Sequence, residues 1–192
     1  GPRALTSYLL AKGYSIDQLS MAALSNQHGG RVYDFFQSRF MVPIRDTLGC
    51  LIAFGGRTLE DHPQKYKNSR YDKAAILFGA SKALPEIRKR GRAIVVEGYL
   101  DALSLWRSGF PEAVACQGTA LSSKHLSILS KATGLIYLVF DGDSAGEKAA
   151  LSVVEKSLSF RDLGLRVVTL PPGQDPDDCV RRGPQALEER IE

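Results

Sequence analysis

The chain of 192 residues is poor in the residue types that support disulfide scaffolds, zinc sites and membrane anchors. It has 3 cysteines, Cys50, Cys116 and Cys179, and 3 histidines, all far apart in the sequence. An odd number of scattered cysteines indicates neither a disulfide framework nor a zinc ribbon, so we expect no zinc in this chain. No apolar run reaches the length of a membrane span and no signal peptide is visible, so we expect a cytoplasmic protein without a membrane partner.

Charge is present in ordinary amount but is unevenly distributed along the chain. Charged residues make up 24% of the sequence and hydrophobic residues 44%, which is typical of a globular protein with a core. Residues 31–92 carry 13 Lys and Arg against 6 Asp and Glu, a net charge of +7, whereas residues 93–192 carry 10 against 14, a net charge of −4. This asymmetry either marks a polyanion-binding surface beside a carboxylate site or is a chance property of solvated faces.

The first part of the chain shows short and mixed signals. We predict a short helix and a second helical turn within residues 3–19, a loop over residues 26–30 and a helical turn in the stretch "RVYDFFQ". Two apolar runs around residues 46–49 predict a β-hairpin. Residues 60–75 are polar and basic and have no clear period, and helix signals return over residues 80–90.

Beyond residue 92, strand patterns alternate with helix patterns, which predicts a mostly parallel sheet. The strand patterns are "AIVVE", "EAVAC", "LIYLVFD" and "LRVVTL". The fold class is therefore α/β, within an α+β chain overall: a Rossmann-like sheet flanked by helices, preceded by a smaller basic α+β subdomain. We place the domain boundary at "RKRGR", giving domains 3–90 and 91–192.

Acidic residues follow the predicted strands where those strands end. Glu97 ends the first strand, Asp141 ends the third, and Asp175 and Asp177 follow the fourth after a Pro-Pro-Gly loop. Ligand sites of open α/β sheets lie at the carboxyl ends of the strands, so we expect these side chains to meet at one edge. Asp143 lies two residues after Asp141, and Asp101 lies four after Glu97 on the following helix.

A cluster of carboxylates needs a cation to offset its repulsion. Oxygen ligands without nearby His or Cys favour Mg²⁺ or Mn²⁺, and such a site suits phosphoryl chemistry. Taken alone, an Asp-x-Asp pair is usually a solvated turn or a helix cap, and "DPDD" is an ordinary helix N-terminus. Acids at three strand ends of one α/β unit, taken in order along the chain, favour a functional site over these ordinary explanations.

Several strings resemble one protein family. "VVEGYLDAL", "GTALSSKH", "FDGDSAGEKAA" and "LPPGQDPDD" resemble the TOPRIM module of bacterial DNA primases of the DnaG type. Upstream, "MVPIRD", "IAFGGRTL", "KYKNS" and "LFG" resemble the amino-terminal part of the same primases' RNA polymerase domain. The resemblance extends over nearly all of residues 31–190.

The resemblance assigns roles to individual residues. It implies that Glu97, Asp141 and Asp143 are catalytic ligands of two or more Mg²⁺ or Mn²⁺ ions, with Glu97 on one ion, Asp143 on the other and Asp141 on both. Asp175 and Asp177 match acids that shape the site or bind a further ion, and Asp101 matches a supporting acid. It also implies a set of residues that contact nucleic acid or nucleotide: Arg39, Arg45, Arg57, Lys65, Asn68 and Lys73.

The function implied is template-directed synthesis of short RNA primers on single-stranded DNA, from ribonucleoside triphosphates, during DNA replication. The partners implied for a full-length protein are the replicative helicase and the single-strand-binding protein, at the bacterial nucleoid. The chain departs from the family pattern at Gln37, which occupies the place of the first of two arginines and leaves Arg39 as the second. We interpret the chain as an excised catalytic core or a shortened relative.

Two other functions remain open. A TOPRIM nuclease would use the same acids with water as the nucleophile, and a non-catalytic fragment would only bind DNA. No phosphate loop of the G-x-x-x-x-G-K-[ST] type is present, which excludes a helicase motor in this chain.

Overall fold

A computed structural model describes residues 1–191, which form two compact units. The first unit comprises residues 1–44 and 51–71, and the second comprises residues 45–50 and the chain from Asp72 onward. Within residues 1–191, no helix is both long enough and apolar enough to cross a membrane.

The first unit contains two short helices and two small sheets. Strands β1 and β2 pair as an antiparallel hairpin, and the second sheet has the order β3-β4-β5. The last residue of β3, Arg45, belongs to the second unit. The elements are α1 (Ala4–Ala11), α2 (Ile16–Met21), β1 (Ser25–His28), β2 (Arg31–Asp34), β3 (Arg39–Arg45), β4 (Leu51–Thr58) and β5 (Tyr66–Asn68).

Two predictions for this unit are wrong. Residues 26–28 of the predicted loop belong to β1, with the turn confined to Gly29 and Gly30, and the predicted helical turn in "RVYDFFQ" begins instead with β2 over Arg31–Asp34; His28 pairs with Arg31. Gly29 and Gly30 both adopt positive φ, 57° and 73°, the conformation of a two-residue hairpin turn. The polar segment without a clear period contains strand β5, whereas the hairpin around residues 46–49 is present as β3 and β4.

The second unit is built on a four-stranded sheet of order β7-β6-β8-β9, in which every neighbouring pair is parallel. The predicted α/β class, with helices flanking a parallel sheet, is confirmed. The elements are α3 (Ala80–Arg90), β6 (Ala93–Val96), α4 (Tyr99–Arg107), β7 (Ala113–Ala115), α5 (Ser123–Ser130), β8 (Leu135–Leu138), α6 (Ser144–Ser157), β9 (Gly164–Val167), α7 (Pro176–Arg181) and α8 (Gln185–Ile191).

The core of the second unit explains why its strands form. Strand β6 is buried at all four positions, and β7 at all three, as expected for strands covered on both faces. Helices α3, α5 and α6 contribute buried residues to the same apolar cluster, among them Ile87, Leu126 and Val153. A continuous apolar run in the sequence therefore corresponds here to a central strand.

The structural division of the chain differs from the predicted boundary at residue 90. Helix α3 buries Ala80, Ala83 and Ile87 in the cluster that packs on the parallel sheet, so residues 72–90 pack with the second unit. Of the basic stretch at residues 88–92, the residues Arg88, Lys89 and Arg90 form the last turn of α3, which Gly91 caps.

An ion-pair network lies at the amino end of the parallel sheet. Glu112, directly before β7, is fully buried and pairs with Arg90 at 3.1 Å and with Arg92 at 3.0 Å. Arg92, directly before β6, also binds both carboxylate oxygens of Glu188 on α8, at 2.7 and 3.0 Å. We call these four residues the amino-end network.

Candidate active site

The carboxylates of the second unit gather at the opposite end of the sheet. Glu97 directly follows β6, and Asp141 follows β8 after the buried residues Val139 and Phe140. Strands β6 and β8 are parallel neighbours, and Val139 N–H continues the ladder to the Val95 carbonyl at 2.9 Å. The connection after β6 leads to one side of the sheet and β8 lies on the other side, so these acids stand at the topological switch point.

The loop that carries Asp141 is bonded to the loop that precedes Asp175. Gly142 N–H donates to the Gln174 carbonyl at 2.9 Å, and Gly173 N–H donates to the Gly142 carbonyl at 3.1 Å. A side chain at position 142 would place its Cβ 2.3 Å from the Pro171 carbonyl oxygen, so only glycine permits this approach.

The acids influence one another electrostatically. Burial, followed by the charge of Asp175, raises the pKa of Asp101 to about 7, although Asp101 accepts a hydrogen bond from Gly98 N–H at 3.0 Å. Burial followed by Asp141 raises the pKa of Glu97, and burial followed by Asp175 raises that of Asp141. Like charges this close favour the uptake of protons or a cation.

Two of the predicted ligands also cap the helices that follow them. Asp143 Oδ1 accepts hydrogen bonds from Ala145 N–H at 2.9 Å and Gly146 N–H at 2.8 Å, at the start of α6. Asp175 Oδ1 accepts from Asp178 N–H at 2.7 Å, at the start of α7. The capping function expected of isolated Asp residues is therefore present in the same residues as the predicted site.

Asp177 is held by two neighbours on helices α4 and α7. Its Oδ1 accepts a hydrogen bond from the Ser104 hydroxyl, and its Oδ2 pairs with Arg181 at 2.7 Å. Burial acts to raise the pKa of Asp177, but the hydrogen bonds from Ser104 and Arg181 outweigh it and lower that pKa. Asp177 already has cationic and hydroxyl partners within the protein.

The chemistry of the acids fits a hard divalent cation. Within residues 1–191, Glu97 Oε1 is a buried oxygen without a hydrogen-bond partner, which is costly unless a cation or proton joins it. The donors are all carboxylate oxygens, the ligands that Mg²⁺ prefers. As the side chains stand, no group of three His, Cys, Asp or Glu within the same residues is arranged to hold a metal ion.

Four of the predicted nucleic-acid-binding residues lie in the first unit, and Arg39 makes extensive internal contacts. Its guanidinium donates to the carbonyls of Gly56, Lys65 and Gln64 at 3.2, 3.1 and 2.9 Å. It therefore fixes the backbone that carries Lys65, which is itself exposed.

The other two residues of this group lie on facing strands. Arg57 on β4 pairs in register with Tyr66 on β5, and its guanidinium lies 5.9 Å from the tyrosine ring centroid. Asn68 pairs with Gly55 on the same two strands. Because directly paired residues and those two positions along share a face, Arg57, Tyr66 and Asn68 share one face of this sheet.

The remaining two predicted basic residues lie in the second unit. Arg45 donates to the Gly49 carbonyl at 2.8 Å, within the turn between β3 and β4. Lys73 donates to the Gln117 carbonyl at 3.4 Å, beyond the carboxyl end of β7. Lys73 is thus the predicted cation that the second unit places beside the acidic end of its sheet.

Sequence reasoning missed two residues, Lys67 of the first unit and Gln117 of the second. Lys67 Nζ donates to the Phe35 carbonyl at 2.6 Å, and burial followed by the charge of Arg39 lowers its pKa. Gln117 adopts a positive φ of 63° and its backbone N–H donates to the Glu97 carbonyl at 2.8 Å. In the sequence, the basic string around Lys67 could have indicated a functional residue, whereas no pattern indicated Gln117.

Two family models match the chain in succession. A model described as "DNA primase catalytic core, N-terminal domain" matches residues 1–84, and one described as "Toprim-like" matches residues 94–180. The gap between the two matches contains the predicted boundary at residue 90, whereas the compact units divide after Tyr71.

Individual relatives agree with these matches. A DNA primase of Deinococcus radiodurans is 40% identical over 182 residues, covering 91% of this chain. A DnaG primase catalytic domain solved with single-stranded DNA has a TM-score of 0.89 at 36% identity, and the E. coli primase catalytic core has a TM-score of 0.88 at 36% identity. Both solved structures cover 100% of this chain.

The fold and the acids at the carboxyl end of the sheet define the class of protein: a TOPRIM α/β module preceded by a basic α+β unit. With these matches, the chain belongs to the family of bacterial DNA primases of the DnaG type. It spans 32% of the Deinococcus relative and 64% of each of the two solved catalytic domains.

Proposed function

We propose that this chain is the catalytic core of a bacterial DNA primase. It synthesises short RNA primers from ribonucleoside triphosphates on a single-stranded DNA template, as a DNA-directed RNA polymerase. The observation that carries the proposal is the position of Glu97 and Asp141 at the switch point of a parallel sheet, with Glu97 Oε1 buried and unpartnered within residues 1–191.

Toprim domains generally bind divalent metal ions such as Mg²⁺, and the acids found here suit that role. Glu97, Asp141 and Asp143 would hold two ions, and Asp175 and Asp177 would hold or shape a further one. When bound, the ions lower the pKa of the primer 3′-hydroxyl and stabilise the pyrophosphate leaving group. Asp101 supports the site by capping α4 through the Gly98 N–H.

Cationic and polar residues serve the phosphates of template and nucleotide. Phosphate is bound, without readout of the base sequence, by three residues of the first unit, Arg57, Lys65 and Asn68, and by two of the second, Arg45 and Lys73. Arg39 contributes by fixing the backbone of residues 64–65, as its hydrogen bonds to that backbone support.

The partners follow from the family. A related catalytic domain was solved with single-stranded DNA, which supports the same ligand for this chain. The replicative helicase and the single-strand-binding protein are the partners of the full-length enzyme, which acts at the nucleoid in the cytoplasm.

The test is incorporation of labelled ribonucleotides on a single-stranded DNA template, with Mn²⁺ and then Mg²⁺. Asp141→Asn and Glu97→Gln should each lose at least about 100-fold in rate, since each change removes a charge that offsets metal-ion charge. Asp162→Asn changes an exposed acid two residues before β9, at the amino end of the sheet; it is the matched control and should keep full activity. Each variant is first shown to unfold cooperatively in urea.

The alternative functions give different results. Metal-dependent degradation of DNA without incorporation would identify a nuclease that uses the same acids. Salt-sensitive DNA binding without any reaction, even with a relative's zinc-binding module supplied in trans, would overturn the primase proposal. Full activity in both acid variants would overturn the site assignment.

A further inference from the structure

The segment of residues 72–76 is held by side chains from two directions. It opens the second unit and carries Lys73 toward the carboxyl end of the sheet. At its start, Asp72 pairs with Lys124 at 2.9 Å, and this ion pair is exposed. The more informative contacts are buried and reach the backbone of the segment.

The first turn of α5 binds the backbone on both sides of the Lys73–Ala74 peptide bond. The Ser122 hydroxyl donates to the Ala74 carbonyl at 2.5 Å, and His125 Nε2 lies 3.0 Å from the Lys73 carbonyl oxygen. His125 is fully buried. A fully buried histidine is expected to make hydrogen bonds, because burial of an imidazole without them is costly.

The capping box of α5 determines which nitrogen of His125 carries the proton. Ser122 N–H donates to His125 Nδ1 at 3.3 Å, so Nδ1 is the acceptor and Nε2–H donates to the Lys73 carbonyl. Burial lowers the pKa of His125, which favours the neutral imidazole that these two hydrogen bonds require. The ring therefore connects the helix terminus to the segment.

Gln117 binds the same segment from the sheet. Its Nε2 donates to the Ile76 carbonyl at 3.1 Å, its own carbonyl accepts the Lys73 ammonium at 3.4 Å, and its N–H donates to the Glu97 carbonyl at 2.8 Å. Its φ of 63° is uncommon for a residue with a side chain, and such strain persists only where the surroundings enforce it. The backbone of Gln117 therefore connects the Lys73 ammonium to Glu97, the first acid of the candidate site.

We propose that His125 and Gln117 are positioning residues that fix the backbone of residues 72–76, so that the Lys73 ammonium is held beyond the carboxyl end of β7, on the same end of the sheet as the acids, to bind the phosphates of the incoming ribonucleotide. The proposal rests on the proposed function for the role of Lys73. It gives a physical reason for the burial of two polar residues, His125 and Gln117.

The test compares His125→Leu with His125→Gln. Leucine removes both hydrogen bonds, whereas glutamine is a natural residue of this capping box and keeps a donor at the same reach. We expect His125→Leu to lower kcat/KM for the ribonucleotide by about 10- to 100-fold, mainly through KM, and His125→Gln to recover most of that loss. Gln117→Ala should act in the same direction.

Thr133→Val is the matched control. Thr133 is also buried and its hydroxyl donates to a backbone carbonyl, that of Gly91, at 2.6 Å, but at the amino end of the sheet. It should reduce stability as His125→Leu does and leave KM unchanged. A Thr133→Val variant with the same rise in KM would overturn the proposal, because the effect would then follow from stability alone.

A double-mutant cycle with Lys73→Ala separates positioning from general damage. If His125 acts through Lys73, His125→Leu causes no further loss in the Lys73→Ala background. Losses that multiply in the double variant would overturn the proposal.

Amide hydrogen exchange over residues 72–76 tests the same inference without any activity. Exchange there should accelerate in His125→Leu and Gln117→Ala, and stay unchanged in Thr133→Val. A wild-type chain that incorporates no nucleotide, even with a relative's zinc-binding module supplied in trans, would overturn the proposed function, and this exchange measurement would still decide whether His125 and Gln117 fix the segment. Unchanged exchange in both variants would refute it.

Discussion

At the scale of single residues, the acids of the sheet end differ in what the protein already provides for them. Asp177 is partnered by Ser104 and Arg181, whereas Glu97 Oε1 is buried without a partner within residues 1–191. Asp101 lies between these cases, because it caps α4 yet is buried among like charges. A protein without metal must therefore tolerate repulsion at this end of its sheet.

Asp101 should make stability depend on pH when metal is removed. Its pKa rises from 3.8 to about 7 in the folded state, so the folded protein binds the proton more tightly than the unfolded chain. This stabilisation is fully present below about pH 4 and is lost as pH rises toward about 7, with an upper limit on the order of 4 kcal/mol. Urea unfolding in EDTA across this range measures it.

Asp101→Asn removes this titration and serves as the comparison. Its free energy of unfolding should fall less between about pH 4 and pH 7 than that of the wild type, because no charge forms at position 101. Equal pH dependence in both proteins would contradict the assignment. Addition of Mg²⁺ at pH 8 should stabilise the wild type if the cation offsets the same repulsion.

At the scale of elements, the two acidic loops after β8 and β9 depend on one glycine. Gly142→Ala would place a methyl group 2.3 Å from the Pro171 carbonyl, so the loops must separate and lose their two mutual hydrogen bonds. We expect a loss of about 1–3 kcal/mol in the free energy of unfolding. Gly164→Ala is the control, since its Cβ would meet no atom closer than 3.4 Å and should be nearly neutral. A smaller effect at 142 than at 164 would contradict this account.

The same scale shows what the sequence could predict. Strands β6 and β8 were predictable because a strand buried on both faces is a continuous apolar run. Strand β2 was not, because its partly exposed residues lack a clear period and its formation depends on a two-residue turn with positive φ. Strand β5 is short and polar, and pairing with β4 rather than side-chain burial defines it.

For the site, the acids were predictable because each follows a strand, but their surroundings were not. Ser104 and Gln117 make their contacts through packing between elements that are distant in the sequence, whereas Arg181 pairs with Asp177 one turn away on α7. The i,i+4 spacing of Asp177 and Arg181 is a local pattern, but no local pattern indicates the hydrogen bond from Ser104 or the unpartnered Oε1 of Glu97. The metal ligands therefore stay a prediction, which the variants above test.

At the scale of the whole molecule, the uneven charge makes a prediction about DNA binding. Arg57→Ala and Lys65→Ala should weaken binding of single-stranded DNA, and each should reduce the slope of log K against log salt by about 0.7 for every phosphate that the variant no longer neutralises. Lys131→Ala, an exposed lysine of the acidic part, should leave the slope unchanged. Fluorescence anisotropy from low to moderate salt provides the measurement, and equal slopes in all variants would contradict the basic surface.

The amino-end network has a consequence for how this sequence can diverge. Ion pairs at one end of the parallel sheet join the four residues of this network, which are Glu112, Arg90, Arg92 and Glu188. The candidate catalytic acids lie at the other end of the sheet. Distant substitutions without shared partners have additive effects. Substitutions at one end of the sheet can therefore accumulate during evolution without matching substitutions at the other end. For the same reason, substitutions in the amino-end network can be used to raise thermal stability without changing the reaction.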